Sequence, residues 1–328
     1  MKVLFASSEA LPFAMSGGLA DVAGALPKAI NKTGNDCRVV MPLYGLKCEK
    51  FRELFQYQCN FSVPVGWRSQ YCGIFTAVYD GVTYYLIDNE YYFKRDGLYG
   101  YYDDAERFAF FSRAVLEMLP HISFKPDIIH CNDWQTALVP VYLDAFYKQN
   151  EFYQDMKTVI TVHNLKFQGR WDIDKIKDFM GISDYYFTED KLEYYKDGNL
   201  LKGGLVYADV ITTVSDTYAE EIKTDFYGEG LEGLMNARSR DLRGIVNGID
   251  YTDFNPTTDP YITKQYDAVN FRKEKIKNKL KLQEELGLAE NTNFVLTSDH
   301  GQMDIQRIIN LNVMLAEYGF IDVVADNL

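Results

Sequence analysis

A chain of 328 residues with 47% hydrophobic content holds enough apolar material for one large core or two modest ones. A net charge of −13 with no long basic run argues against nucleic acid or an anionic membrane as partner and leaves a neutral polysaccharide open. The five cysteines (Cys37, Cys48, Cys59, Cys72, Cys131) show no CxxC spacing, and Ser7-Ser8-Glu9 ends the opening apolar run too early for a signal peptide. A soluble cytoplasmic protein with reduced thiols is therefore expected.

Residues 3–6 form an apolar run of the length of a buried parallel strand. Gly17-Gly18 then opens a run with helical spacing: Leu19, Val22, Ala23, Leu26, Ala29, Ile30. Strand, glycine loop and helix together can present backbone N–H groups to an anion, although a plain tight turn has the same pattern. Residues 37–42 read as a second strand. Residues 71–88 read as a hairpin around Asp80-Gly81, and 103–119 as an amphipathic helix. A short strand at 126–130 precedes Cys131-Asn132-Asp133-Trp134 and a helix over 137–147. Further strands are expected at 158–162, at 209–214 with Ser215 as helix cap, and at 244–246 before Asn247-Gly248-Ile249-Asp250. This alternation predicts an α/β fold, a Rossmann-like, doubly wound parallel sheet with ligands outside the carboxyl ends of its strands.

The chemistry-bearing residues fall at those ends. Gly17, Gly18 and Asp21 follow the first strand, His130, Asp133 and Trp134 follow another, and His163 and Asn164 a third. A histidine there can hydrogen-bond sugar hydroxyls or be a satisfied structural residue. Asp21 suits a helix N-terminus in any case, Trp134 can pack in the core, and Asn247-Gly248 is a turn dipeptide anyway. Gly203-Gly204 lies inside a helical pattern and reads as close packing. Tyr99 and Tyr101 are candidates for stacking on sugar.

Five segments carry a resemblance. Ser16-Gly17-Gly18-Leu19-Ala20-Asp21-Val22 is followed by His130-Cys-Asn-Asp133-Trp134-Gln-Thr136 and by Thr161-Val-His163-Asn164-Leu-Lys-Phe-Gln168-Gly169. Lys202-Gly-Gly-Leu-Val-Tyr-Ala-Asp209 and Asn247-Gly-Ile-Asp250 complete the series. In this order and spacing they resemble the bacterial glycogen synthases and plant starch synthases, over residues 1 to roughly 290. The resemblance implies the N-terminal domain of a GT-B glycosyltransferase and retaining transfer of glucose from ADP-glucose to the non-reducing end of an α-1,4-glucan, with no cofactor or metal ion. It also implies that His163 and Asp21 lie beside the donor glucose. Gly17, Gly18, His130, Asp133, Asn164 and Asn247 would line the substrate site. Where the family carries a lysine on the nucleotide-sugar phosphates, this chain has Met15, which offers neither charge nor donor.

The expected organisation is a catalytic N-terminal domain over 1–252, a linker and helix over 253–292, and a foreign or atypical tail over 293–328. Thr297-Ser-Asp299-His300-Gly301-Gln in that tail resembles a metal-ligand motif of the alkaline-phosphatase-superfamily phosphodiesterases, but two ligands do not make such a site. The second domain that supplies the family's Arg…Lys pair is expected to be truncated, and the chain alone is expected to be nearly inactive. Two rival readings remain: a non-catalytic glucan-binding module and, remotely, a metal-dependent phosphodiesterase fragment.

Overall fold

The structure is a computed structural model, and it describes residues 1–252 and 254–287. The chain divides after Asp250 into two units.

The first unit is built on a nine-stranded sheet. Its strands are β1 (Lys2–Ala6), β2 (Asp36–Pro42), β3 (Gln56–Val65), β4 (Arg68–Tyr79), β5 (Val82–Asp88), β6 (Ile128–Asn132) and β7 (Lys157–Val162). After the short β8 (Arg170–Asp172), β9 (Glu193–Tyr194) and β10 (Asp197–Asn199), the large sheet resumes with β11 (Val210–Thr213) and β12 (Leu242–Gly244). The order is β12-β11-β7-β6-β1-β2-β5-β4-β3. All pairings from β12 to β5 are parallel, and β4 and β3 add antiparallel beyond β5. The expected parallel sheet is thus a mixed one. Asp80 and Gly81, both at positive φ (50° and 76°), make the tight turn that sends β4 back along β5. β3 escaped the sequence reading because its exposed edge position leaves only a faint alternation.

The helices are α1 (Gly18–Lys32), α2 (Glu90–Phe93), α3 (Asp104–Glu117), α4 (Leu138–Tyr142), α5 (Ile173–Met180), α6 (Leu200–Tyr207), α7 (Asp216–Glu221) and α8 (Glu232–Ala237). α3 brings Phe108, Phe110 and Phe111 wholly into the core, each a gain of roughly 1.5–3 kcal/mol. Three expected boundaries move. β6 begins two residues later than read, β12 ends at Gly244 rather than beginning there, and the helix after Trp134 is α4 followed by a wider turn over Leu143–Tyr147. In that turn the Lys148 N–H bonds to the Leu143 carbonyl, five residues back.

From β1 the chain lays β2, jumps to the far edge for β3, works back through β4 to β5, and then crosses to lay β6 on the other side of β1. The direction of winding therefore reverses between β1 and β6, and the crevice at their carboxyl ends is where such sheets bind ligands. In the second unit the described part holds α9 (Phe271–Glu285), close to the expected helix, with no buried residue and with Gly287 in the left-handed conformation just past its end.

Candidate active site

Past β1 the chain keeps three polar residues inside: Ser7, Ser8 and Glu9. Buried polar groups cost free energy unless bonded, and each of these is. The Ser7 hydroxyl donates to the Glu9 carbonyl at 2.6 Å, and the Tyr44 hydroxyl donates to the Ser8 carbonyl at 2.7 Å. The Ser8 and Tyr99 hydroxyls are 2.7 Å apart. Tyr99 sits on a loop secured by the fully buried Arg107, which donates to the Tyr92 and Leu98 carbonyls (2.8 and 3.2 Å) and pairs with Asp104. The Glu9 carboxylate accepts from the Ser16 N–H and, at 3.1 Å, from the Ser16 hydroxyl. Burial pushes its pKa above the usual carboxylate range, against the pull of donors on Ser16, Gly17 and Tyr99.

That grip fixes the glycine loop. Gly17 is extended and caps α1 without a side-chain bond, and the Ala20 N–H bonds back to the Gly17 carbonyl at 3.2 Å. A Cβ at Gly17 or Gly18 would meet nothing within 4 Å, and neither residue has positive φ. Neither backbone conformation nor packing requires glycine at these two positions. Close approach of a ligand to the backbone would. Met15 is 56% exposed beside the loop, and Asp21 lies in the first turn of α1, partly buried.

The ends of β6 and β7 form a second group. His130 Nε2 lies 2.6 Å from the Thr161 hydroxyl, which lies 2.6 Å from that of Thr212. The His130 ring meets Phe5 edge-on at 4.7 Å. Burial, with His163 adding to it, pushes the His130 pKa down to about 4. Asp133 has φ 54° and ψ −172°, a backbone geometry that costs a non-glycine residue on the order of 1–3 kcal/mol. It is held there because its N–H donates to the Thr161 carbonyl (2.9 Å) while its carboxylate accepts the His163 N–H (2.7 Å). Burial raises its pKa, opposed by His163 and by the N–H groups of His163 and Asn164. His163 Nε2 is 3.0 Å from Asn132 Oδ1. Burial lowers the His163 pKa against the pull of Asp133.

The sequence-expected residues thus divide. His130, Asp133 and His163 are brought into one bonded group through Thr161 and Asn132, beside the strand that leads to Gly17, Gly18 and Asp21. Asn164 is exposed, and its amide oxygen accepts the Lys166 N–H at 3.0 Å, which is turn chemistry. Asn247 is exposed on the segment after β12, which leads back to α1, where Asp250 lies 3.5 Å from Lys28. Trp134 is a core residue, packed between Phe108 and Trp171 (5.2 and 5.3 Å). Tyr101 lies under the Arg95 and Arg107 guanidinium groups and accepts the Gly97 N–H, a structural role. Glu9 and Asn132 were not singled out by sequence, because a buried acid and an amide beside two histidines carry no spacing signal of their own.

Next to this group, a cavity of about 320 Å³ is lined by Trp134, Phe167, Gln168, Arg170, Trp171 and Glu229. Phe167 is 60% exposed there. Gly169 has φ +65°, and a Cβ on it would come within 2.5 Å of the Trp134 ring. Among the described residues no group of three or more His, Cys, Asp or Glu side chains could hold a metal ion, and no helix is long and apolar enough to cross a membrane.

A family model described as the starch synthase catalytic domain matches residues 2–237. The chain belongs to the starch synthase catalytic domain family. It is 58% identical to a glycogen synthase of Lachnospira eligens over 290 residues, which is 88% of this chain and 61% of that one. It is 51% identical to a glycogen synthase of Geobacillus stearothermophilus over 311 residues, 95% of this chain and 64% of that one. Among solved structures, the catalytic domain of starch synthase IV from Arabidopsis thaliana, bound to ADP and acarbose, aligns with TM-score 0.80 and 30% identity. That match covers 89% of this chain and 60% of the other. The chain therefore spans about three fifths of the length of these family members.

A second model, type I phosphodiesterase / nucleotide pyrophosphatase, matches residues 253–327. An alignment that takes in 95% of the chain also reaches into that segment, so the two likenesses overlap there. Asp299 and His300 lie outside the described residues.

Proposed function

We propose that this chain is the N-terminal half of a retaining glucosyltransferase that moves glucose from ADP-glucose to the non-reducing end of an α-1,4-glucan. The observation that carries the reading is that an uncapped helix N-terminus after β1 and the His163–Asn132–Asp133 group after β6 and β7 lie at the carboxyl ends of neighbouring parallel strands, at the reversal point of the sheet. The helix end suits a diphosphate, because its N–H groups and dipole favour negative charge. His163 and Asp21 suit the hydroxyls of the donor glucose. The glycogen synthase relatives and the ADP- and acarbose-bound starch synthase support the same pair of ligands.

In this reading the N–H groups of the first turn of α1, past the Ser16 and Gly17 N–H groups held by Glu9, bind the diphosphate as it leaves. Asp133 and Asn132 keep His163 in place, and Phe167 and Trp171 offer apolar faces to a glucan chain. Met15 supplies no charge to the departing ADP, and stabilising such charge is a large catalytic contribution. The chain alone is accordingly a binder with little turnover. A cytoplasmic location, a catalytic domain over 1–252, a linker and helix over 253–292, and an atypical tail beyond belong to the same proposal. The exposed aromatic groove also favours a second reading, a glucan-binding module without donor chemistry.

Calorimetry with ADP-glucose and with a maltooligosaccharide separates the two. Binding of both, with ADP-glucose weakened by His163→Ala, supports the transferase half. Oligosaccharide binding without any ADP-glucose binding supports the module and sinks the first reading.

A further inference from the structure

Asn132 is 1% exposed, and its amide can be oriented from its neighbours. One end of the amide faces two carbonyl oxygens, Ala6 O at 3.0 Å and His130 O at 3.4 Å. A carbonyl only accepts, so that end is the NH₂ group; the reverse orientation would set an oxygen against two oxygens. The other end, Oδ1, therefore faces His163 Nε2 at 3.0 Å and only accepts. His163 Nε2 must then carry a proton. Burial drives His163 towards its neutral form, and a neutral imidazole holds one proton. Nδ1 is thus a bare acceptor, and among the described residues it has no hydrogen-bond partner.

We infer that Asn132 is a positioning residue that holds His163 in the Nε2–H tautomer and so makes Nδ1 a hydrogen-bond acceptor for whatever occupies the crevice. The backbone locks the arrangement from both sides. The Asn132 N–H and carbonyl are tied to the Thr136 hydroxyl at 2.6 and 2.8 Å, and the His163 N–H is tied to Asp133. The consequence for ligands rests on the proposed function: the donor sugar must offer a hydroxyl proton to His163 rather than accept one from it. A sugar whose hydroxyl at that point is replaced by fluorine keeps an acceptor but loses the donor, and would bind less well.

The groups facing His163 are Asn132 at Nε2, Asp133, which accepts its backbone N–H and acts on the ring through charge, and His130, on which the His163 ring acts through charge. None of the three besides Asn132 bonds the ring, so changing Asn132 alone should move the ring's protonation.

The test is nitrogen-15 NMR of the full chain labelled at histidine, which has four such residues, with the His163 signals assigned by their loss in His163→Gln. The wild type should show Nε2 protonated and Nδ1 bare at neutral pH, with a resolved Nε2 proton. Asn132→Leu should abolish that proton signal while the other three histidines keep theirs. Asn132→Asp should keep the Nε2 proton and raise the His163 midpoint by about one pH unit, since a carboxylate favours the charged ring. If Asn132→Leu does not fold, the wild-type tautomer and the Asn132→Asp midpoint decide the matter. An Nδ1–H tautomer in the wild type, or an unmoved midpoint in Asn132→Asp, overturns the inference. Failure of ADP-glucose to bind would count against the proposed function and would leave the tautomer result standing.

Discussion

Burial pushes neighbouring groups of this site in opposite directions, and the signs give a pH prediction. His130 has an ordinary value of 6.5 and a folded value of about 4, so folding favours its neutral form. Its contribution is intact above pH 6.5 and is lost as pH falls through the window down to 4, because the unfolded chain takes up the proton first. At 1.36 kcal/mol per unit, and discounted for the ring's residual exposure, the loss is on the order of 2–3 kcal/mol. Glu9 and Asp133 are raised, and their contributions run the other way. A difference measurement isolates the histidine. Urea unfolding of wild type and His130→Gln at pH 7 and pH 4 should show the gap between them change by about 2–3 kcal/mol, and a gap independent of pH would refute the assignment. Met15 gives a second prediction at this scale. A lysine there would add a charge-assisted bond to a diphosphate, roughly 1.5–3 kcal/mol or a ten- to hundredfold gain. Calorimetry should find Met15→Lys binding ADP more tightly and adenosine no better. Equal ADP affinity would place the phosphates away from Met15. This residue was legible because one position in an otherwise matching motif was wrong for the chemistry. Glu9 and Asn132 were not: the grip of Glu9 on Ser16 leaves no mark in the sequence, and the partners of Asn132, Ala6 and His163, lie far along the chain.

Two pairs of glycines look alike in sequence and do different work in their elements. In α6, a Cβ on Gly204 would come within 2.7 Å of the Ala137 side chain and carbonyl and 2.8 Å of Ile160. The spacing had implied close packing, and here α6 lies against the start of α4 with no room for a methyl group. Gly204→Ala should cost about 1–3 kcal/mol in unfolding free energy. Gly18, at the first turn of α1, has open space where its Cβ would be. Gly18→Ala should leave stability unchanged or raise it by up to about 1 kcal/mol, since alanine is the better helix former. It should nonetheless weaken ADP binding if a ligand approaches that backbone. The pair of variants, read by thermal unfolding and by ADP calorimetry, should show opposite patterns. Loss of stability in Gly18→Ala would mean that the glycine serves the fold alone. Most helices and parallel strands were legible from periodicity. The three-stranded β8-β10-β9 sheet was not, because strands of two or three residues are too short to carry a period.

At the scale of the molecule, the alternation of strands and helices was enough to expect the candidate residues at one sheet edge, because parallel winding places loops there whatever their sequence. The sequence showed the β4–β5 hairpin at Asp80-Gly81 but not β3, which joins β4 through the turn at Gly66-Trp67 and packs against α3. The chain spans about three fifths of its family members. Several cations among the described residues are already committed. Lys28 pairs with Asp80 and Asp250, Arg107 with Asp104, and Lys202 donates to the Glu189 and Glu193 carbonyls. At the proposed phosphate position stands the backbone N–H array at the start of α1. Losing one group that stabilises developing charge typically costs about 10²–10³ in rate. Joining this chain to a family second domain should therefore raise incorporation of radiolabelled glucose from ADP-glucose into glucan by at least about a hundredfold. Adding Met15→Lys to the joined protein should raise it further. Comparable incorporation by the chain alone would mean that the N–H array stabilises the leaving ADP without a cation, and that the charge argument built on Met15 is wrong.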